Sequence, residues 1–450
     1  MERVHVIGAG LAGTEAAYQL ARRGVPVLLS EMKPKKKTPA HSSDLFGELV
    51  CSNSLRNAVI SSGPGLLKEE LRRMGSLMME AADASSVSAG GALAVDRVRF
   101  ATYITEKIRS NPLIEVCEEE ITEIPAEGIT VIATGPLTSD ALAAQIAART
   151  GQSGLSFFDA AAPIVDFASV DMGKAFFASR YGKGDADYIN CPMNEQEYKI
   201  FYDALIHAEE APLHDFDKTQ PLTVFEGCMP VEVMAKRGED TLRFGPLKPV
   251  GIHHPETGAG YYAVVQLRRE DEVGTMFNLV GFQTHLTFPE QRRVFRLIPG
   301  LENAEFLRYG VMHRNTFLNS PTLLNADYSL RAEPRIFFAG QMTGVEGYIE
   351  SAASGYVAGF SAACRARGGD APLFPRETMT GAMAWYVSHG GIGDFQPMNA
   401  NFGIIPDLGK RIKGGKKPRY EAYAQRALDT LADFDLMLSE SKNGGAESES

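Results

Sequence analysis

Two sets of residues in this sequence have the types and spacing to do chemistry. The first is Gly8-Ala9-Gly10-Leu11-Ala12-Gly13, which follows G-x-G-x-x-G, with Glu31 eighteen residues beyond Gly13. In that pattern Gly8 permits a tight strand-to-helix turn, Gly10 lets the backbone approach a pyrophosphate, and Gly13 lets helix and strand pack closely. The free N–H groups at the helix start then hold the phosphates, and Glu31 binds ribose hydroxyls. The second set is two cysteines. Cys51 stands in Val50-Cys51-Ser52-Asn53-Ser54, where a polar turn or helix cap is expected. A thiol there would be accessible, and near a helix start its thiolate would be favoured. Cys228 follows Gly227 and lies two residues before Pro230, which predicts a sharp bend. On composition alone the ordinary reading of both cysteines is a packed, inert thiol.

These groups need elements to hold them. The β-rich run Val4-His5-Val6-Ile7 enters the glycine turn, and an Ala-rich segment through Arg22 is the helix. A second run, Val25-Pro26-Val27-Leu28-Leu29-Ser30, ends at Glu31 and Met32. An apolar strand ending in Ala133-Thr134-Gly135 is the expected second crossing near a dinucleotide. A third returns at Ile336-Phe337-Phe338-Ala339-Gly340-Gln341. After it, Glu346-Gly347-Tyr348 opens a small-residue helix to about Arg367, whose N-terminus can face an electron-rich ring. A nicotinamide-only enzyme does not need that returning strand. The three elements together predict an α/β, glutathione-reductase-like FAD-binding Rossmann domain. Its cofactor-binding candidates are Gly8, Ala9, Gly10, Leu11, Ala12, Gly13, Glu31, Met32, Thr134, Gly135, Gly340, Gln341, Gly347 and Tyr348. Many such flavoproteins carry Gly-Asp at the last strand, where this chain has Gly340-Gln341.

Between these elements, helical spacing predicts one helix over 65–82 and another over 99–110. From about residue 157 the texture changes to many aromatics and short β-rich pieces, which predicts an inserted, mostly antiparallel α+β domain. The expected division is 1–156 and 309–438 for the FAD-binding domain, with 157–308 inserted. An amphipathic helix is expected over 420–438, then a disordered tail over 439–450.

The chain of 450 residues carries a net charge of −11 and 44% hydrophobic residues, ordinary for a soluble globular protein. No apolar run reaches the roughly 18 residues needed to span a membrane, and no leader pattern opens the chain. Its five cysteines are scattered and never spaced CxxC, which argues for reduced thiols in the cytoplasm and against a disulfide framework or a metal site. A nucleic-acid site on so acidic a body must be a local basic patch. Lys35, Lys36 and Lys37, in a Pro-flanked loop, and Lys416 and Lys417, in the basic run 410–419, are the candidates for phosphate contact.

Longer words in order carry a resemblance. They include Val50-Cys51-Ser52-Asn53-Ser54-Leu55, Gly91-Ala92-Leu93-Ala94-Val95-Asp96-Arg97, Ala133-Thr134-Gly135-Pro136-Leu137-Thr138 and Cys228-Met229-Pro230-Val231-Glu232. Phe244-Gly245-Pro246-Leu247-Lys248-Pro249-Val250-Gly251, Tyr309-Gly310-Val311-Met312-His313-Arg314-Asn315 and Ala339-Gly340-Gln341-Met342-Thr343-Gly344 continue the series. The chain resembles the folate- and FAD-dependent tRNA (uracil-5-)-methyltransferases, the small Gid type, over nearly its whole length. Gln341 agrees with that family's pattern. The larger Gid proteins, which modify wobble uridine, are longer at the C-terminus.

The resemblance implies methylation at C5 of the T-loop uridine of tRNA, position 54. Methylenetetrahydrofolate is the implied carbon donor, with FAD as cofactor and NAD(P)H as reductant. It also implies that Cys51 and Cys228 are catalytic, with Cys228 adding to C6 of the uracil and Cys51 serving as base or second thiol. A small-molecule flavin oxidoreductase would share the nucleotide elements but leave both cysteines and the basic stretches unexplained.

Overall fold

The computed structural model describes residues 2–444 apart from 39, 152–154, 161, 183–185, 212–228, 272, 311 and 391–394, and leaves aside the side chains of 155–160, 312–316 and 439–444. Its first sheet has six strands in the order Ser329–Leu330, Glu333–Phe338, Thr130–Ile132, Val4–Ile7, Val27–Glu31, Ile114–Glu118. All pair in parallel except the edge strand Ser329–Leu330. Helices cover this sheet, and their apolar faces join it in one core from Val4 to Phe434. This is the doubly wound Rossmann arrangement, in which ligands sit outside the carboxyl ends of the strands.

Two helices pack unusually closely on that sheet. Leu11–Arg22 lies against Tyr348–Ala366 with Gly355 and Gly359 at the crossing. A Cβ on Gly355 would lie 2.2 Å from the Ala12 carbonyl oxygen, and one on Gly359 2.6 Å from that of Ala16. Glycine costs about 1 kcal/mol inside a helix, and here it lets two backbones touch. The close crossing brings the N-termini of both helices to the same edge of the sheet.

The second sheet is antiparallel throughout, in the order Phe176–Phe177, Tyr188–Met193, Ala263–Arg269, Met276–Leu279, Ile164–Asp166, Phe306–Arg308. It has its own core, including Ile189, Val265, Phe277 and Phe295. A two-stranded antiparallel ribbon, Leu155–Ala160 with Met312–Phe317, carries the chain into and out of it. A small third sheet joins Ser54–Asn57, Ala92–Val95 and Ser86–Val87.

Several local expectations change. The helix expected over 65–82 is two, Gly63–Met74 and Leu77–Ala84. Gly75 ends the first in the left-handed region at φ 74°, and Ser76 caps the second through its side chain. Buried Glu15 accepts from Ser76 Oγ (2.7 Å) and from the backbone N–H of Met78 (3.0 Å), which fixes the break. The turn after Cys51 opens a strand, Ser54–Asn57, and not a helix. The last helix runs Lys416–Gly444. It starts earlier than expected because Pro418 is tolerated in a first turn. It also continues through 439–444, placed in the tail on composition, because no Gly or Pro interrupts it before Gly444.

Candidate functional site

Three parallel strands end side by side, at Ile7, Ile132 and Phe338, and a cleft opens there. Gly8, Gly10, Leu11, Ala12, Glu31, Met32, Thr134, Gly135, Gly340, Gln341 and Tyr348 line it. Ala9, Gly13 and Gly347 are not among the lining residues. Gly8 turns at φ +99°, and a Cβ on Gly13 would lie 1.8 Å from the Gly8 carbonyl oxygen, so the strand-to-helix turn closes only around glycines. A Cβ on Gly10 would meet nothing within 4 Å, because that residue faces the open cleft.

The donors and acceptors of the cleft fit a dinucleotide. Glu31 is fixed by the backbone N–H of Ala9 on Oε2 (2.7 Å) and that of Lys33 on Oε1 (3.0 Å). Each oxygen keeps a lone pair for a ribose hydroxyl. The first turn of Leu11–Arg22 contributes Leu11 and Ala12 to the wall, and that of Tyr348–Ala366 contributes Tyr348 and Ser351, so two positive helix ends face one space. Gln341 Nε2 donates to Glu346 Oε2 (2.8 Å), which fixes a neutral amide where many flavoproteins have a carboxylate. FAD therefore fits this cradle. Lys33, His41 and Glu48 also line it, residues that spacing did not single out. Burial pushes the Lys33 ammonium and the His41 imidazole below their usual ranges, and Lys33 adds to the effect on His41.

The Cys51 loop is held at the wall of this cleft by side chains from four separate elements. The Tyr348 hydroxyl accepts the N–H of Cys51 (2.7 Å) and of Ser52 (3.1 Å). Arg97 donates to the carbonyls of Leu49 (2.8 Å) and Cys51 (3.3 Å), and Arg308 to that of Val50 (2.7 Å). Arg268 donates to Ser52 Oγ (2.6 Å) and Asn53 Oδ1 (3.1 Å). Arg97 is itself held by Glu270, Nε to Oε2 at 2.6 Å. Burial works against its charge, but Glu270, together with Tyr348 and Cys51, holds the guanidinium above its usual range. Burial, then the neighbouring Arg97, pushes Arg308 down. Burial, with Cys51 adding to it, pushes the Tyr348 hydroxyl well up, so it stays protonated.

Arg97 and Arg308 both interact electrostatically with Cys51. Two guanidinium groups therefore place positive charge beside the Cys51 loop. Sequence spacing missed them, although Arg97 closes one of the quoted words. Cys228 lies outside the described residues.

The lysine candidates do not form one cluster of unpaired charge. Lys36 pairs with Glu120 (2.8 Å), Lys37 with Asp44 (2.7 Å), and Lys417 approaches Glu421 (3.9 Å). Lys35 and Lys416 are exposed, with no ion-pair partner among the described residues. No group of metal-ligating side chains occurs among the described residues, and no helix among them is long and apolar enough to cross a membrane.

Comparison with known proteins adds the following. The family model for glucose inhibited division protein A matches residues 3–370. The "Methylenetetrahydrofolate--tRNA-(uracil-5-)-methyltransferase TrmFO" of Acetivibrio thermocellus is 59% identical, covering 96% of this chain and 99% of that protein. The protein of the same name from Heliobacterium modesticaldum is 60% identical, covering 96% and 97%. Among solved structures, Aquifex aeolicus GidA superimposes with a TM-score of 0.69 at 18% identity, over 96% of this chain and 73% of that one.

Proposed function

The chain belongs to the glucose inhibited division protein A family and, within it, to the TrmFO methyltransferases, and from that premise we propose that it methylates a tRNA uridine at C5 with methylenetetrahydrofolate as carbon donor and FAD as cofactor. The observation that carries this reading is Tyr348, which lines the dinucleotide cleft and accepts the N–H of Cys51. A reactive thiol is thereby tied to the place where a flavin fits. Reduced FAD, when bound, would supply the reducing equivalents that turn the one-carbon unit into a methyl group.

The protein's own residues do the rest. C5 of uracil is a poor nucleophile. Addition of a thiolate at C6 gives an enolate whose electron pair attacks from C5. Once the new carbon is attached, the C5 proton leaves to a base while the carbon–nitrogen bond to the folate breaks, its electron pair staying on the folate nitrogen; a hydride equivalent added to the new carbon then makes the methyl group and expels the thiolate from C6. We assign the addition to Cys228 and the proton removal to Cys51. Arg97 and Arg308 place positive charge beside the loop that carries Cys51.

We further assign position 54 of the T-loop as the target, NAD(P)H as reductant and the cytoplasm as the place of action. Residues 1–156 and 309–438 are read as the cofactor part and 157–308 as the part that meets tRNA. Lys35, Lys36, Lys37, Lys416 and Lys417 are the proposed phosphate contacts, with Lys35 and Lys416 foremost because no carboxylate among the described residues pairs with them. A small-molecule flavin oxidoreductase would leave the arginine-held Cys51 loop without a task.

Incubation with unmodified tRNA, methylenetetrahydrofolate and NADPH should yield 5-methyluridine on nucleoside analysis. Omission of the folate should abolish it, and absence of product in the complete mixture would overturn the reading. Trapping on tRNA that contains 5-fluorouridine separates the two cysteines. Cys228→Ala should lose the covalent complex and Cys51→Ala should keep it; the opposite result reverses the assignment.

A further inference from the structure

At one edge of the second sheet, three aromatic rings form a ladder that the reading above leaves unused. Phe306 stacks on Tyr309 with centroids 5.5 Å apart, and Tyr309 on Phe288 at 4.8 Å, both pairs within 16° of parallel. Phe288 is 51% exposed. Arg292 donates to the Tyr309 hydroxyl from Nε (3.0 Å) and Nη2 (2.6 Å). It has no carboxylate partner among the described residues, whereas Arg293 is paired with Glu290 (2.6 Å).

The ladder is built rigidly. Gln291, fully buried, donates to the Gly310 carbonyl and accepts the Gly310 N–H, both at 2.8 Å. That double bond of hydrogen bonds fastens the strand after Phe306–Arg308 to the helix Phe288–Phe295. One residue before Tyr309, Arg308 donates to the Val50 carbonyl, so the strand bearing the ladder is also fastened to the Cys51 loop. A ring meant only for a core would be hidden. Here the outermost ring is half-exposed beside an exposed guanidinium that no carboxylate among the described residues neutralises. Stacked aromatics with an adjacent arginine are the chemistry that takes unpaired nucleobases and their phosphates.

We propose that the Phe288–Tyr309 ladder with Arg292 is a docking surface for an unpaired nucleotide of the tRNA, held at a fixed offset from the Cys51 loop. The inference rests on the proposed tRNA substrate.

The test uses the full chain loaded with FAD, measuring affinity for an unmodified tRNA transcript by anisotropy at several salt concentrations. Phe288→Ala should weaken binding about tenfold, within the range for loss of one base stack, and Phe288→Trp should preserve it. Arg292→Gln should weaken binding and lower the slope of log affinity on log salt by about one. Melting temperature and flavin absorbance should stay at wild-type values in each variant. If the wild type binds tRNA and the Ala and Gln variants bind it equally well, the inference is overturned. It is likewise overturned if Phe288→Ala alters only self-association in ultracentrifugation, which would make the ladder a contact between copies of this chain. A wild type that binds no tRNA at any salt would overturn the substrate reading and this inference with it.

Discussion

The Tyr348 hydroxyl accepts the backbone N–H of Cys51 at 2.7 Å and that of Ser52 at 3.1 Å, from the first residue of the helix that closes the dinucleotide cleft. A single oxygen thus ties a candidate reactive thiol to the cofactor wall. Tyr348→Phe removes the acceptor and leaves two amides without it, at a cost of about 1–3 kcal/mol for an unsatisfied buried group. Amide hydrogen exchange at Cys51 and Ser52 should accelerate by about 10- to 100-fold, with FAD still bound and methylation slowed. Unchanged exchange at both amides would show that the hydroxyl does not hold the loop.

Arg97 and Glu270 supply a second tie, from the second sheet into the same loop. Glu270 is 2% exposed, and Arg97 beside it is mostly covered, its side chain 16% exposed. Glu270→Ala leaves a guanidinium without its counter-charge, which typically costs about 3–5 kcal/mol. The double replacement Arg97→Met with Glu270→Leu removes both charges and should recover most of that loss. It should not recover methylation, because the carbonyls of Leu49 and Cys51 would have lost their donor. Denaturant melts of Arg97→Met alone, Glu270→Leu alone and the double variant give the coupling energy directly; additive losses would mean that the pair does not act as a unit.

Much of the cofactor end could be read from the sequence because backbone geometry forces its residue types. Gly8 must turn at positive φ, Gly13 must admit a carbonyl at contact distance, and an acid must follow the second strand. The returning strand Glu333–Phe338 and the small-residue helix after it were legible for the same reason: Gly355 and Gly359 mark where backbones touch. The surroundings of Cys51 were not legible. Arg97, Arg268, Glu270 and Arg308 reach it from elements far apart in the chain, and no local spacing encodes that meeting. The same limit explains the expected helix cap after Cys51. Ser-Asn-Ser has the right residue types, but Asn53 spends its side chain on the carbonyls of Val95 and Arg269, which draws the following residues into a strand.

Glu70 makes stability depend on pH. It is fully buried, accepting the N–H groups of Met379 (2.7 Å) and Thr380 (2.8 Å), and burial pushes its carboxyl up to about 7 against those bonds. Between the ordinary carboxyl range and pH 7 the folded state keeps a proton that the unfolded state has lost. Stability from this group is therefore complete below about pH 4.5 and declines as pH rises to 7, by up to about 3 kcal/mol at 1.36 kcal/mol per unit. Glu70→Gln does not titrate. The difference in unfolding free energy between wild type and variant should drift in favour of the variant across that window, whatever its constant offset. A difference that stays flat from pH 4.5 to 7 would place the carboxyl outside that range.

Gly10 and Gly13 belong to the same fingerprint but should fail in different ways. Gly10 sits at φ −72° and ψ −169°, a conformation open to alanine, and its added Cβ would meet nothing within 4 Å. Gly10→Ala should leave the melting temperature of the FAD-free protein within the usual range of a neutral substitution, about 0.5 kcal/mol. The new methyl projects into the cleft at a helix N-terminus, where the pyrophosphate must approach the backbone. FAD affinity should therefore fall by about tenfold or more, read from flavin fluorescence on titration. Gly13→Ala places its Cβ 1.8 Å from the Gly8 carbonyl oxygen, so the turn itself must open. That variant should lose stability with or without FAD. If Gly10→Ala instead destabilised the FAD-free protein and bound FAD normally, the cleft would not be where the dinucleotide lies.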